Sequence, residues 1–202
     1  SIAGVDIYHP TQDDLTGNEI AFGGDMTRSL KQDNYLLLET EAQGFPEWLP
    51  YRGQLRLQAY SHIASGANSV MYWHWHSLHN AMETYWKGLL SHDFEENATY
   101  REACTIGREL QEVGSHLVNL KKKNEVAVLV SNEALTALKW FRIAASYNDI
   151  VRWLYDALYK RNVECDFLWP ESENFDQYKM ILVPALYAVP DHVLEKLNRY
   201  VE

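Results

Sequence analysis

Short apolar runs alternate with amphipathic stretches of helical period along the chain, and this alternation limits the possible folds more than any other feature. Before residue 121, the predicted strands cover 3–8, 35–39 and 69–75, and the helices that follow them cover 19–31, 53–65 and 100–120. Strands and helices that alternate at this spacing form parallel β/α units. The run at 69–75 is dense in apolar and aromatic residues, which is typical of a strand buried on both faces.

The pattern changes at the charged stretch 121–124. The later predicted elements are a continuous aliphatic strand at 126–130, a helix at 147–161, strands at 163–168 and 180–184, and a helix at 191–202. This order is typical of the beginning of an open, doubly wound parallel sheet. We therefore place a domain boundary near residue 122.

The two ends of the sequence are unusual for a whole domain. Residues 2–7 form a strand-like run with no preceding element, and the predicted helix 191–202 has no C-terminal cap or tail. We therefore expect an internal piece of a longer protein.

Charge and composition argue against two classes of partner. The net charge is −10 and the one basic run is Lys121–Lys123, so we expect no nucleic-acid partner. The sequence has no signal-peptide pattern and no apolar run of about 20 residues, so we expect no contact with a membrane. Cys104 and Cys165 match neither a zinc spacing nor a disulfide framework. We therefore expect both cysteines to be buried free thiols. Free thiols fit a reducing compartment, so we expect a cytoplasmic location.

A carboxylate follows the second apolar run. Glu39 ends that run, and Trp48 follows it in a loop that contains glycine and proline. Carboxylates at the carboxyl ends of barrel strands, near an aromatic surface, hold and cleave sugars in many enzymes. Taken alone, Glu39 is equally compatible with an ordinary strand-end residue on a solvated loop. The seven Trp and thirteen Tyr favour a carbohydrate site, although many of these rings must lie in the core.

The loop after the third predicted strand carries His74, His76 and His79, and two interpretations stay open for them. Neutral imidazoles at a strand end suit zinc or iron, so a metal-dependent barrel hydrolase that uses His74 and His76 is one alternative. No Asp or Cys with ligand spacing follows nearby, and the aromatic neighbours indicate a stacking surface. Histidines that form hydrogen bonds or lie in the core are the other alternative.

A series of motifs in a fixed order carries a family resemblance. These motifs are Leu38-Glu39, Trp48, Arg56-Leu57, Ser65-Gly66-Ala67, Trp73-His74-Trp75 and Glu83-Thr84-Tyr85-Trp86-Lys87-Gly88. In this order they resemble the last part of the catalytic barrel of glycoside hydrolase family 42 β-galactosidases. Residues 125–202 are similar to the start of that family's second domain, a flavodoxin-like (amidotransferase-like) fold involved in trimer formation.

This resemblance implies an α/β fold in two parts. Residues 1–122 are expected to be the C-terminal portion of a (β/α)8 TIM barrel, and residues 123–202 the N-terminal portion of a flavodoxin-like trimerisation domain. The implied parent is a retaining β-galactosidase that forms a covalent glycosyl-enzyme, needs no cofactor and assembles as a homotrimer. Three β/α units cannot close an eight-stranded barrel, so we expect the piece alone to be inactive. The alternative from another class is a non-catalytic sugar-binding or assembly module.

The resemblance also implies roles for individual residues. Glu39 is the implied catalytic nucleophile, Tyr8 holds it by a hydrogen bond, and Glu83 accepts hydrogen bonds from the galactose hydroxyls.

Three tryptophans complete the implied substrate site. Trp48 is expected to stack against the sugar ring, and Trp75 to wall the sugar subsite. Trp86 departs from the family pattern, because some members carry His there, so stacking replaces a polar contact. Tyr8 and Trp75 are also compatible with ordinary core aromatics.

A retaining mechanism needs a second carboxyl group about 5–5.5 Å from the nucleophile. Asn18-Glu19 matches the Asn-Glu pair that usually carries it, but these residues begin a predicted helix and lie too close in sequence to Glu39. We therefore expect the acid/base Glu outside this sequence.

Glu41 is a weaker rival nucleophile. Amidotransferase chemistry is disfavoured because Cys165 lies within a predicted strand, whereas that reaction needs a Cys on a sharp turn.

Overall fold

The computed structural model describes residues 1–10, 14–43, 49–141 and 143–202. The chain divides into two compact units, Ser1–Lys122 and Lys123–Glu202.

The first unit contains three parallel strands, each followed in sequence by a helix. The strands are β1 (Gly4–Asp6), β2 (Tyr35–Glu41) and β3 (Ala67–Trp73), and the helices are α1 (Asn18–Lys31), α2 (Gln54–Ala64) and α3 (Ala98–Leu117). The sheet order is β1-β2-β3. Asp6 is in register with Glu39, and Glu41 with Trp73. The carboxyl ends of all three strands therefore meet at one edge of the sheet.

Two hydrophobic clusters stabilise this unit. The first consists of residues on or beside the strands: Ala3, Ile7, Tyr35, Leu37 and Ala67. The second joins α2 and α3 to the segments after β2 and β3, and its buried members are Ala42, Leu55, Ala59, Leu89 and Ile106. Ile7, directly after β1, and Ala42, directly after β2, are buried in these clusters, so packing stabilises the segments that follow the two strands.

The third strand differs from its prediction in position and burial. It begins at Ala67 and ends at Trp73, so Trp75 lies beyond it. Only Ala67 is buried, and the remaining strand residues are half-buried or exposed. The prediction of burial on both faces was wrong, because β3 is paired only with β2 in the described sheet and lies at its edge.

Helix starts in this unit follow from local capping. The Asn97 side chain accepts the N–H of Tyr100 at 2.9 Å, so α3 begins at Ala98, two residues before the predicted start. At the start of α2, Gly53 has a φ of 91°, and the Glu102 carboxylate accepts the N–H groups of Gly53 and Arg56. A residue of α3 therefore satisfies backbone donors at the start of α2.

The second unit is also a parallel α/β arrangement. Its elements in chain order are β4 (Val126–Leu129), α4 (Asn132–Leu138), α5 (Tyr147–Tyr159), β5 (Cys165–Leu168), a 3-10 turn (Phe175–Gln177), β6 (Met180–Leu182) and α6 (Asp191–Val201). The sheet order is β5-β4-β6, which places the first strand of the unit between its second and third. This is the order at the start of flavodoxin-like sheets. The prediction of a parallel α/β chain is confirmed.

Helix α4 is absent from the sequence prediction. It has seven residues and begins where the Ser131 side chain accepts the N–H of Ala134 at 3.2 Å. Two turns of helix contain too few positions to reveal a period of 3.6 residues in the sequence.

Candidate active site

The ends of β1 and β2 bring Tyr8 and Glu39 together. The N–H of Ile7 donates to the carbonyl oxygen of Glu39 at 3.0 Å, which continues the β1–β2 pairing past the last strand residue. The Tyr8 hydroxyl then donates to Glu39 Oε2 at 3.1 Å. The Glu39 side chain is half-buried, and Tyr8 is 36% exposed. A carboxylate at this strand end is therefore both held and accessible.

The phenol of Tyr8 remains a proton donor over the ordinary pH range. Burial raises its pKa well above the usual value, and the hydrogen bond to Glu39 and the negative charge of that carboxylate raise it further. Tyr8 therefore donates to Glu39 rather than competing with it as a second anion.

Trp86 lies against Tyr8. The two ring centroids are 5.6 Å apart at an interplanar angle of 90°, which is an edge-to-face contact. Trp86 is half-buried. The contact places the loop after β3 beside the Tyr8–Glu39 hydrogen bond.

Trp73 and Glu83 form a second contact at the same edge. The indole N–H of Trp73, the last residue of β3, donates to Glu83 Oε2 at 3.1 Å. No role is predicted for Trp73 from the sequence, because the predicted strand 69–75 continues past it to Trp75. Trp75, which it did select, is 59% exposed and makes an edge-to-face contact with Tyr100 of α3 at 5.8 Å. The structure thus links Glu83 to Trp73, and the role assigned to Trp75 stays a prediction. We call Tyr8, Glu39, Trp73, Glu83 and Trp86 the strand-end cluster.

The loop after β3 carries Glu83 and Trp86. Backbone hydrogen bonds join the two chain segments at its ends. The N–H of Leu89 donates to the carbonyl of His74 at 2.7 Å, and the N–H of Leu90 donates to that of Trp75 at 2.9 Å. Gly88 lies so close to the segment after β3 that a Cβ atom there would be 2.5 Å from the carbonyl carbon of His76. The Gln43 side chain donates to the Gly88 carbonyl. Only glycine fits this crossing of two backbone segments.

The histidines of this loop form hydrogen bonds to backbone atoms. His79 Nε2 lies 2.7 Å from the carbonyl oxygen of His92, and His92 Nε2 lies 2.8 Å from those of Leu78 and Thr84. Burial lowers the pKa of His74. Within the described ranges, no group of three or more His, Cys, Asp or Glu side chains could hold a metal ion. His76 Nδ1 also lies 2.9 Å from the carbonyl oxygen of Ser77, so the contacts of His76 and His79 favour the hydrogen-bonding interpretation for these two residues.

The rival carboxylate Glu41 is buried. It is 3% exposed, Oε1 lies 2.9 Å from His9 Nδ1, and Oε2 accepts the Thr40 hydroxyl at 3.1 Å. Of the two carboxylates, Glu39 is the accessible one. Glu19 lies in the first turn of α1 rather than at a strand end, as predicted.

Two further observations concern the extent and position of the candidate site. Trp48, predicted to stack on the sugar, lies outside the described residues. A cavity of 580 Å3 lies between the starts of α2 and α3, and it contains no residue of the strand-end cluster. We place the candidate site at the strand ends because they hold the accessible carboxylate.

The two cysteines differ in burial: Cys165 is buried, as predicted, whereas Cys104 is half-buried. Cys104 and Cys165 are free thiols. Among the helices of the described part of the chain, none is both long and apolar enough to cross a membrane.

Comparisons with known proteins connect this geometry to a family. A family model described as β-galactosidase matches residues 2–113, and one described as β-galactosidase trimerisation domain matches residues 124–202. Among curated relatives, β-galactosidase BgaA of Clostridium cellulovorans is 28% identical over 96% of this chain and 31% of its own length. β-Galactosidase BgaB of a Geobacillus species is 30% identical over 90% of this chain and 28% of its own length.

A solved structure extends the comparison to the fold. The β-galactosidase of Bacillus circulans sp. alkalophilus matches with a TM-score of 0.88 and 28% identity, over 98% of this chain and 30% of that protein. The chain thus spans about a third of the length of these relatives. The match supports the predicted α/β fold, a part of a TIM barrel followed by a part of the trimerisation domain. Because the first family model covers more than half of the sequence, the chain belongs to the glycoside hydrolase family 42 β-galactosidases.

Proposed function

We propose that the full-length protein containing this chain is a retaining β-galactosidase in which Glu39 is the nucleophile. The observation that carries the proposal is the half-buried Glu39 carboxylate, two residues before the carboxyl end of β2, which accepts the Tyr8 hydroxyl at 3.1 Å. Family membership and the names of the relatives support the substrate class.

In the proposed reaction, a Glu39 oxygen attacks the anomeric carbon and the aglycone departs. A covalent glycosyl-enzyme forms, and water then hydrolyses it with net retention of configuration. Tyr8 keeps its proton and orients the attacking carboxylate, because its pKa lies well above the working range, chiefly through burial. Proton transfer to the leaving group requires a second carboxyl group about 5–5.5 Å away. We assign that role to a Glu outside this sequence, since Glu19 lies in a helix and Glu41 is buried.

The remaining cluster residues are proposed to bind galactose. Glu83, oriented by the Trp73 indole, accepts hydrogen bonds from sugar hydroxyls, and Trp86 packs against the ring beside Tyr8. Trp48 and Trp75 keep their predicted stacking roles. No cofactor enters this chemistry.

We further propose a homotrimer in the cytoplasm. The match of residues 124–202 to a trimerisation domain supports the assembly, and the two free thiols support a reducing location.

The stereochemistry of hydrolysis tests the mechanism. The full-length protein is incubated with a nitrophenyl β-galactoside, and proton NMR records the first sugar released. We expect β-galactose before mutarotation. The α-anomer would contradict retention, and sugar binding without turnover would favour a sugar-binding module.

Chemical rescue tests the assignment of Glu39. The Glu39→Ala variant is expected to lose at least about 10³-fold in kcat and to form α-galactosyl azide when azide is added, because the anion attacks from the vacated face. Glu112→Gln, at an exposed carboxylate of α3, is the matched control and is expected to behave as wild type. Full turnover by Glu39→Ala would overturn the assignment.

A further inference from the structure

We propose that Glu41 is a positioning residue of the reaction: through its buried contact with His9 it fixes the segment that carries Tyr8, and thereby the hydrogen bond from Tyr8 to Glu39. This inference rests on the proposed function.

Two contacts connect the chain segments that leave β1 and β2. Tyr8 contacts Glu39, and the next residue, His9, contacts Glu41. The two carboxylates are separated by Thr40 alone, and the two donors are adjacent. Since the contacts share the same pair of segments, a change in one alters the geometry of the other.

The two contacts differ in exposure. Tyr8 is 36% exposed, so water and substrate compete for its hydroxyl and for Glu39. The side chains of His9 and Glu41 are 1% and 4% exposed. A contact hidden from water keeps its geometry when substrate enters, because breaking it would leave a buried carboxylate without compensation.

The Glu41 carboxylate contacts two nitrogen atoms of His9. Oε1 accepts the backbone N–H of His9 at 3.2 Å and lies 2.9 Å from its ring Nδ1. This backbone N–H belongs to the peptide bond between Tyr8 and His9. Glu41 therefore constrains the main chain directly beside the Tyr8 Cα atom. Oε2 is held by Thr40, which fixes the rotation of the carboxylate.

Helix α2 also contacts His9. Gln58 Nε2 lies 3.2 Å from His9 Nδ1, and the His62 ring centroid is 6.1 Å from that of His9. The pKa of His62 is lowered to about 3 by burial and by His9, so His62 carries no charge at neutral pH. His62 is therefore a neutral neighbour of the contact between His9 and Glu41.

A buried ion pair elsewhere in the same unit provides a matched control. Asp25 is 2% exposed, and its Oδ1 lies 2.7 Å from Arg28 of the same helix, α1. Asp25→Asn and Glu41→Gln remove the same charge from similarly buried pairs, but only Glu41 contacts the segment that carries Tyr8.

The test is a double-mutant cycle in the full-length protein. Glu41→Gln is expected to lower kcat about 10-fold with KM within about twofold, and Asp25→Asn to change kcat less than about twofold at a similar loss of thermal stability. On a Tyr8→Phe background, Glu41→Gln is expected to cost less than about twofold, because its effect passes through Tyr8. A crystal structure of Glu41→Gln is expected to show Tyr8 Oη beyond hydrogen-bond distance of Glu39.

Several results would overturn the proposal. They are an equal loss in both backgrounds, a loss no larger than that of Asp25→Asn, or an unchanged Tyr8–Glu39 distance. If Glu41→Gln does not fold, His9→Ala is used with the same expectations, since it keeps the backbone donor and removes the contact from ring Nδ1 to Glu41. Wild-type turnover is measured first, so absent galactosidase activity refutes the proposed function, whereas turnover without coupling refutes only the role of Glu41.

Discussion

At the scale of single residues, the sequence and the family resemblance together predicted roles for Glu39 and Tyr8 but none for Trp73. The strand-end position of Glu39 follows from the apolar run before it, and parallel pairing then brings the end of β1 beside it. In Trp73-His74-Trp75, however, the composition does not reveal which indole ends the strand. The structure resolves this ambiguity by placing Trp73 on Glu83 and Trp75 on Tyr100.

The two tryptophans can be separated by matched substitutions. Trp73→Phe removes the donor to Glu83, so we expect KM for a β-galactoside to rise about 10-fold with a smaller change in kcat. Trp75→Phe preserves a ring contact with Tyr100, and we expect a change below about threefold. Steady-state kinetics of the full-length variants make the comparison. The reverse ranking would show that Trp75 contributes more to sugar binding than the contact between Trp73 and Glu83.

At the scale of elements, capping and edge position explain most differences from the sequence prediction. Asn97 starts α3 earlier than periodicity suggests, and β3 is more exposed because it is paired on one side only in the described sheet. The start of α3 depends on one side-chain hydrogen bond, and the exposure of β3 depends on strands distant in sequence. Hydrophobic periodicity reports neither.

The loop after β3 depends on the glycine at its base. In Gly88→Ala the new methyl group would meet His76 and His74 backbone atoms at 2.5–2.8 Å, so the two segments must separate and the loop with Glu83 must shift. We expect kcat/KM to fall about 10-fold or more and stability to fall by about 1–3 kcal/mol. Enzyme assays and thermal denaturation measure both effects.

Gly107→Ala is the control for that substitution. Gly107 lies in α3 with nothing within 4 Å of a built Cβ atom. Since alanine is the better helix former, we expect unchanged activity and a gain of up to about 1 kcal/mol. Equal behaviour of the two variants would show that the crossing at Gly88 is not tight.

At the scale of the whole molecule, alternation of strands and helices predicted both parallel sheets. Sheet order β5-β4-β6 also follows from the doubly wound pattern. The sequence did not indicate the buried polar layer of His9, Glu41, Gln58 and His62, because residues of these types are mostly exposed in folded proteins.

That layer makes global stability depend on pH. His62 has a pKa of about 3 in the folded state, mainly through burial, below its ordinary value of 6.5. As the pH falls, His62 is therefore protonated in the unfolded chain before it is protonated in the folded chain. The contribution of neutral His62 to the free energy of unfolding is complete above pH 6.5 and is lost as the pH falls toward about 3. The expected slope is about 1.4 kcal/mol per pH unit below about pH 6.

Replacing the imidazole tests this dependence. Between pH 7 and 5, the thermal midpoint of the full-length wild type is expected to fall more steeply than that of His62→Leu, which has no group to titrate there. His192→Gln, at an exposed histidine of α6, controls for the loss of an imidazole. Parallel curves for wild type and His62→Leu would refute the assignment.

Covalent trapping of the nucleophile tests the central claim most directly. The full-length protein is treated with an activated 2-deoxy-2-fluoro-β-galactoside, digested and analysed by tandem mass spectrometry. We predict one fluorogalactosyl group on Glu39, resolved from Glu41 by fragment ions and absent in Glu39→Gln. A label on Glu41 or on another carboxylate, or turnover with no trapped intermediate, would contradict the account.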